Sequence, residues 1–255
     1  MDKFYSQHGE DSILNEVFKN QKTGVYIEIG CIDGKRFSNS YYFERIKWHG
    51  LCIEAHSDYI ELLKRNRPKS KVIHCAVGEK NLDDVLFYAN SRGSLSTLDK
   101  SNESRWKKKF KKYFTGFEKQ HVRLRTLTSI CEIEKLLQID FISIDIEGNE
   151  YKVLQGINFD LLQPKVFVIE CDTKKEEYKI DTILLKNSYK KLLRINTNLI
   201  YTLDLLDIKI GKINFQLCHT LHPLDMGSDL ITEKELCLRK NHKFDNNREP
   251  RYIVC

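Results

Sequence analysis

Two stretches of this chain end an apolar run in carboxylates and glycine: "VYIEIGCIDG" at 25–34 and "SIDIEG" at 143–148. In the first, Glu28, Gly30 and Gly34 spell E-x-G-x-x-x-G. A dinucleotide fingerprint requires G-x-G-x-x-G, and here position 32 is Ile and position 35 is Lys. The mismatch argues against a nicotinamide or flavin pyrophosphate. It suits a ligand with an amino-acid end and an adenosine end but no phosphates. Gly30 lets the backbone approach closely, and Glu28 can accept from an ammonium group. Glu54 ends the next apolar run, where a carboxylate can take both ribose hydroxyls. A tight strand-to-helix turn needs glycine for geometry alone, so the loop by itself is a weak signal. Joined to Glu54, it points to S-adenosylmethionine.

The second stretch places Asp145 at a strand end and Glu147 two residues on, with Gly148 to turn the chain and Asn149 to cap a helix. A sulfonium donor is already activated. The protein must hold donor and acceptor in line and remove the acceptor's proton. A neutral hydroxyl is a poor nucleophile, so a carboxylate or histidine is expected within reach, and Asp145 and Glu147 lead the candidates. The plainer alternative is that Glu147 and Glu150 complement a helix N-terminus. Glu170 and Asp172 end the following apolar run. With Asp145 they offer hard oxygen ligands for a divalent cation, but the spacing matches no fixed metal motif and a metal is not favoured.

These residues need a scaffold that brings strand ends together. Continuous apolar runs at 24–30, 50–55, 71–77, 140–146 and 165–171 alternate with helix-like segments at 10–20, 38–48, 57–67, 149–156 and 175–187. Ser57 reads as an N-cap and Pro68 as a stop. This alternation predicts an α/β fold, a doubly wound and mostly parallel sheet covered on both faces, with its ligand crevice at the carboxyl ends of the strands. Two closing strands follow, "YKKLLRI" and "NLIYTLDLL". Residues 79–128 interrupt the alternation. There 83–90 and 121–127 read as strands, at the sheet edge or in a small insertion, around the basic "RWKKKFKKYF". The expected organisation is one domain: a helical lead-in over 1–23, a core over 24–204 and an irregular extension over 205–255.

The net charge of +6 permits an anionic partner without demanding one. The eight cysteines show no C-x-x-C pair or zinc spacing and read as reduced, structural thiols. No apolar run approaches a membrane span, and the first residues lack signal-peptide features. An intracellular, cytoplasmic protein is expected.

Ordered blocks from residue 4 to about 202 resemble the FkbM-type S-adenosylmethionine-dependent methyltransferases. They are "YSQHGED", "YIEIGCIDG", "GLCIEA", "VIHCAVGE", "GSLSTL", "VRLRTLTSI", "IDFISIDIEGNEYKVLQG" and "VFVIEC". The resemblance implies a class I methyltransferase sheet, Rossmann-like, with an antiparallel last strand. It also implies oxygen methylation, often of a sugar or small natural product. Glu28, Gly30, Gly34, Glu54, Ala76 and Asp145 would bind the donor, with Gln7 and Asp11 within reach. Asp145 and Glu147 would face the acceptor, a glycan, nucleotide-linked sugar or small molecule. His8 is a further proton acceptor on this reading, against the plainer one of a solvated loop histidine.

Two other functions compete. The basic, aromatic 105–114 segment could neutralise phosphates and stack on bases, as in an RNA methyltransferase. Trp106, Phe110, Tyr113 and Phe114 also fit an amphipathic helix with a solvated basic face, which is the simpler account. A non-catalytic module of the same fold would be expected to show a damaged donor loop or to lack Asp145. Neither defect is seen.

Overall fold

The computed structural model describes residues 4–111 and 114–203. Its central sheet has seven strands: β1 (Val25–Ile29), β2 (His49–Glu54), β3 (Ser70–His74), β7 (Phe141–Ile144), β8 (Val166–Glu170), β9 (Tyr189–Ile195) and β10 (Asn198–Leu203). Their order is β3-β2-β1-β7-β8-β10-β9. β10 runs antiparallel to both its neighbours, and the pairs from β3 to β8 are all parallel. This is the class I methyltransferase arrangement. The chain walks outward from β1 to β3 and then returns to the other side of β1. The β1–β7 boundary is therefore the switch point, where a crevice opens at the carboxyl ends.

Alternation along each strand builds two cores. Ile27, Ile29, Ile142, Ile144, Phe167 and Ile169 share one face with α5 (Leu127–Glu134), α6 (Glu150–Gln155) and α7 (Lys174–Lys186). Tyr26, Phe141, Val166 and Val168 share the other with α1 (Glu10–Val17) and α2 (Tyr41–Arg45). By the same alternation Glu28 and Ser143 fall on the second face, and both are buried. A buried acid in an otherwise apolar layer needs a partner. α3 (Ile60–Asn66) supplies it with Arg67, the residue that ends the helix.

Three expectations change in detail. The apolar run 71–77 splits at Cys75: its last residues form β4 (Ala76–Val77), which joins β5 (Leu82–Ala89) and β6 (Glu118–Arg125) in a separate sheet ordered β4-β6-β5. Residues 79–128 are thus an insertion with its own small core, not an edge of the main sheet. Ser57 does not cap α3. It lies inside a short 3₁₀ turn (Ser57–Tyr59), and the ring of His56 accepts the Asp58 amide instead. The run 121–127 stops as a strand at Arg125, because the Thr126 hydroxyl accepts the Ser129 amide and starts α5, which apolar patterning alone did not show.

The basic segment becomes α4 (Asn102–Lys109). Trp106 is buried against Phe114 and Phe117, while Lys107 pairs with Glu103 on the outside. Of the four aromatics read as one helical face, only Trp106 lies in the helix and is buried, because α4 stops at Lys109 before Phe110 and Phe114; Tyr113 lies outside the described residues, as does the extension from 204 onward. Cys31, Cys52, Cys75, Cys131 and Cys171 are free and buried. Among the described residues no helix is long and apolar enough to cross a membrane.

Candidate active site

The first glycine loop is bound to the opposite side of the crevice. Gly30 continues the ladder to Ile53 and then adopts φ +87. A Cβ there would lie 1.7 Å from the Asp145 carbonyl oxygen, so only glycine lets β1 and β7 end this close together. Ile32 is left-handed at φ 49, a costly conformation for a β-branched residue. Its amide donates to Glu54 Oε2 at 2.7 Å, and the His56 amide donates to Oε1 at 2.7 Å. Each Glu54 oxygen keeps a second acceptor position, which suits two adjacent hydroxyls.

Glu28 has a different setting from the one its sequence position implies. Its carboxylate accepts the Ser38 and Ser40 hydroxyls, each at 2.7 Å, the Asn39 amide at 2.7 Å and Arg67 Nη1 at 3.0 Å. Arg67, wholly buried, also donates to Glu44, Tyr26, Ser40 and the Gly34 carbonyl. Glu28 therefore fixes the loop that follows Gly34. Gly34 itself, at φ +80, has Leu63 and Arg67 where a Cβ would go. Asp11 is likewise wholly buried, its carboxylate accepting the Ser6 hydroxyl and the Tyr5, Ser6 and Ser12 amides. It shapes the turn that leaves Gln7 exposed. Ala76 is buried in the core of the small sheet.

Across the crevice, carboxylate oxygens of Asp145, Glu147 and Glu170 lie within 4.8 Å of one another. These residues are half-buried, walled by protein yet open to solvent. Burial pushes Asp145 up to about 6, against a hydrogen bond with Glu170 that pulls it down. Glu170 is raised well above the usual carboxylate range by burial and then by the charge of Asp145. Glu147 is raised in the same way, with Arg105 opposing. Such a group shares protons, and it favours any cation placed beside it.

The trio satisfies the oxygen chemistry of a divalent site, but with Glu147 where Asp172 was expected. Asp172 is instead paired with Arg105 of α4 at 2.7 Å. Nor does Asn149 cap α6 through its side chain. The Glu150 carboxylate accepts the Ile146 and Gly148 amides, which precede the helix, so it ties down the turn that carries Glu147.

The FkbM methyltransferase domain matches residues 21–194. The chain belongs to that family. It is therefore an S-adenosylmethionine-dependent methyltransferase. Comparison with curated proteins finds no match. Among solved structures, an O-methyltransferase from Bacillus cereus in complex with S-adenosylhomocysteine is 12% identical over 78% of this chain and 81% of its own, with a TM-score of 0.44. A ribosomal protein L11 methylase from Lactobacillus delbrueckii subsp. bulgaricus is 10% identical over 78% and 79%, at 0.43. The fibrillarin pre-rRNA processing protein of Methanococcus jannaschii is 12% identical over 77% and 76%, at 0.39. Superpositions this loose say nothing about the acceptor.

Ahead of the matched FkbM domain, the opening block sits at the carboxyl edge of the sheet. The His8 ring meets the Asn196 side chain in the β9–β10 turn, and Glu10 accepts from Asn198, which pairs with Glu170 across the sheet. Sequence reasoning missed the part played by the insertion. On the donor side its loop meets the core through Arg36 donating to the Arg92 carbonyl, Tyr59 to the Ser91 carbonyl and His56 beside the Asn90 carbonyl. On the acid side Thr97 Oγ1 and Asn102 Nδ2 both donate to the Glu147 carbonyl, at 3.0 and 3.1 Å. Those bonds hold Glu147 at φ 60. Thr97 lies in the "GSLSTL" block and Asn102 outside it, and neither carried a sequence sign of this contact.

Proposed function

We propose that this enzyme methylates a hydroxyl oxygen on a sugar, glycan or small molecule, with a carboxylate of the Asp145–Glu147–Glu170 cluster as general base. The observation that carries this reading is the gathering of three acids at the ends of β7 and β8, directly across Gly30 from the donor loop. The donor supplies an electrophilic methyl when bound. Asp145 is the preferred base, since a carboxyl near 6 is ionised at neutral pH yet more basic than an ordinary aspartate. The S–CH₃ bond breaks as the O–CH₃ bond forms, and the hydroxyl proton passes to the carboxylate. The products are a methyl ether and S-adenosylhomocysteine. Arg105 and the amide network around Glu147 keep the neighbouring acids in place.

The test is Asp145→Asn. Donor affinity by calorimetry should stay within a few-fold while turnover falls by 10²-fold or more, the usual contribution of general-base catalysis. Full turnover in that variant would move the base elsewhere. Methyl transfer from labelled donor onto sugars, nucleotide-linked sugars and short RNA ranks the acceptors, and transfer to RNA alone would overturn the hydroxyl-of-sugar reading. Burial of Trp106 supports the sugar and small-molecule class over nucleic acid.

A further inference from the structure

Beyond the acid cluster, a cavity of about 270 Å³ opens between the start of α6 and the start of α7. It adjoins the cluster along the chain, since Gly148 and Thr173 in its wall follow Glu147 and Asp172 directly. Its lining includes Lys152, Lys175 and Lys179, and among the described residues none of these makes an ion pair. Lys179 rests its Nζ 4.0 Å from the centre of the Tyr151 ring, which holds that charge at the wall. The two acids of the lining are engaged locally: Asp99 accepts the Ser101 amide, and Glu176 is hydrogen-bonded to Glu150. Asn149 also lines the cavity. It is 4% exposed, and its Nδ2 has no acceptor among the described residues. A buried amide N–H left without an acceptor costs about 1–3 kcal/mol, which an acceptor atom held at this wall of the cavity would offset.

We propose that this cavity is an acceptor subsite for an oxyanion of the phosphate class, carried by the molecule whose hydroxyl is methylated. Three ammonium groups with no ion-pair partner among the described residues, together with the Asn149 amide, supply the charge and directionality that phosphate oxygens require. The crevice beside it is acidic and repels the same group. The arrangement thus orients an acceptor with its anionic end over α6 and α7 and its hydroxyl toward Asp145. This proposal rests on the acid cluster being the acceptor side. The phosphate could be a monoester on a sugar or the diphosphate of a nucleotide-linked sugar.

The experiment is equilibrium binding to the intact protein, with inorganic phosphate, glucose 1-phosphate, uridine diphosphate glucose and methyl glucoside as probes. Saturable binding of the three phosphate probes, and none of methyl glucoside, is expected. In Lys152→Ala/Lys175→Ala it should weaken about 25-fold, or about fivefold per lysine, the interaction of unit charges 4 Å apart in water. Asn149→Asp, nearly isosteric but anionic, should weaken it as well. Affinity for S-adenosylhomocysteine should not change in either variant, which excludes unfolding as the cause. The tighter of the two sugar probes assigns the source of the phosphate. Absence of saturable phosphate binding, or binding unchanged in the double variant, overturns the proposal. The readout is independent of the reaction: phosphate binding without methyl transfer to any phosphorylated acceptor would support the subsite and remove the proposed reaction.

Discussion

Arg67→Met is the perturbation that best isolates how the donor loop is held. Arg67 is wholly buried between Glu28, 3.0 Å from Nη1, and Glu44, 2.9 Å from Nε. It also donates to Tyr26, Ser40 and the Gly34 carbonyl. Methionine keeps most of the volume and removes the charge, so two carboxylates are left in a layer that excludes water. Breaking a buried pair by removing one partner costs roughly 3–5 kcal/mol, and with two acids stranded the upper half of that range applies. Domains are stable by about 5–15 kcal/mol, so the variant should fold but marginally. With a urea slope of about 2–3 kcal/mol/M, a loss of about 4 kcal/mol moves the midpoint down by roughly 1.3–2 M. Emission from Trp48 and Trp106, each 1% exposed, reports the transition. Adding Glu44→Gln should recover part of the loss, because the second charge no longer lacks a partner. Donor affinity should fall too, since the Gly34 carbonyl loses its anchor. A midpoint within about 0.5 M of wild type would refute this account of the network, and so would a double variant no better than the single one.

Three further outcomes follow from the geometry. Gly30→Ala should cost well over the roughly 1–2 kcal/mol of a left-handed alanine, because its Cβ meets the Asp145 carbonyl; Gly116→Ala, also left-handed but with no atom of the described residues within 4 Å of its Cβ, should cost only that amount, and equal losses in urea titrations would discount the contact. Glu10 is wholly buried and its pKa is raised by burial from 4.5 to about 7, so its stabilising protonated form is fully present below pH 4.5 and lost as pH rises through 7. Stability should therefore decline by about 3 kcal/mol across that window, and Glu10→Gln should flatten the decline in urea titrations at pH 5 and 8. Finally, with Asp145 near 6 the base form accumulates as pH rises, so kcat/KM should climb to a plateau above about pH 6; a flat profile from 5 to 8 would count against a carboxylate base.

The sequence carried the scaffold well because β1, β7 and β8 are buried on both faces and read as unbroken apolar runs. It carried Gly30 and Glu54 because turn geometry and strand ends leave local marks. What it hid was the state of the polar groups. Nothing near Glu28 shows that its carboxylate is satisfied by residues 38–40 and by Arg67, nearly forty positions away. Once Glu28 and Glu44 are known to lie in buried layers they call for a buried cation, and the "KRNRP" stretch at the end of α3 supplies it, but Glu28 was expected to bind the donor instead. Thr97 and Asn102 were invisible for a similar reason: their partner is a backbone carbonyl, which has no sequence signature at all.

The insertion between β4 and α5 has a core of its own, built from Ala76, Phe87, Ala89, Val122 and Leu124, while its hydrogen bonds reach the main body at a handful of points on either bank of the crevice. Donor loop and β7, by contrast, are locked by an approach that tolerates no side chain at Gly30. The molecule therefore divides its inheritance unevenly. The junction of β1 and β7 can drift little without breaking, whereas the insertion, with its own core and few ties to the main sheet, can change its sequence and length without disturbing that junction.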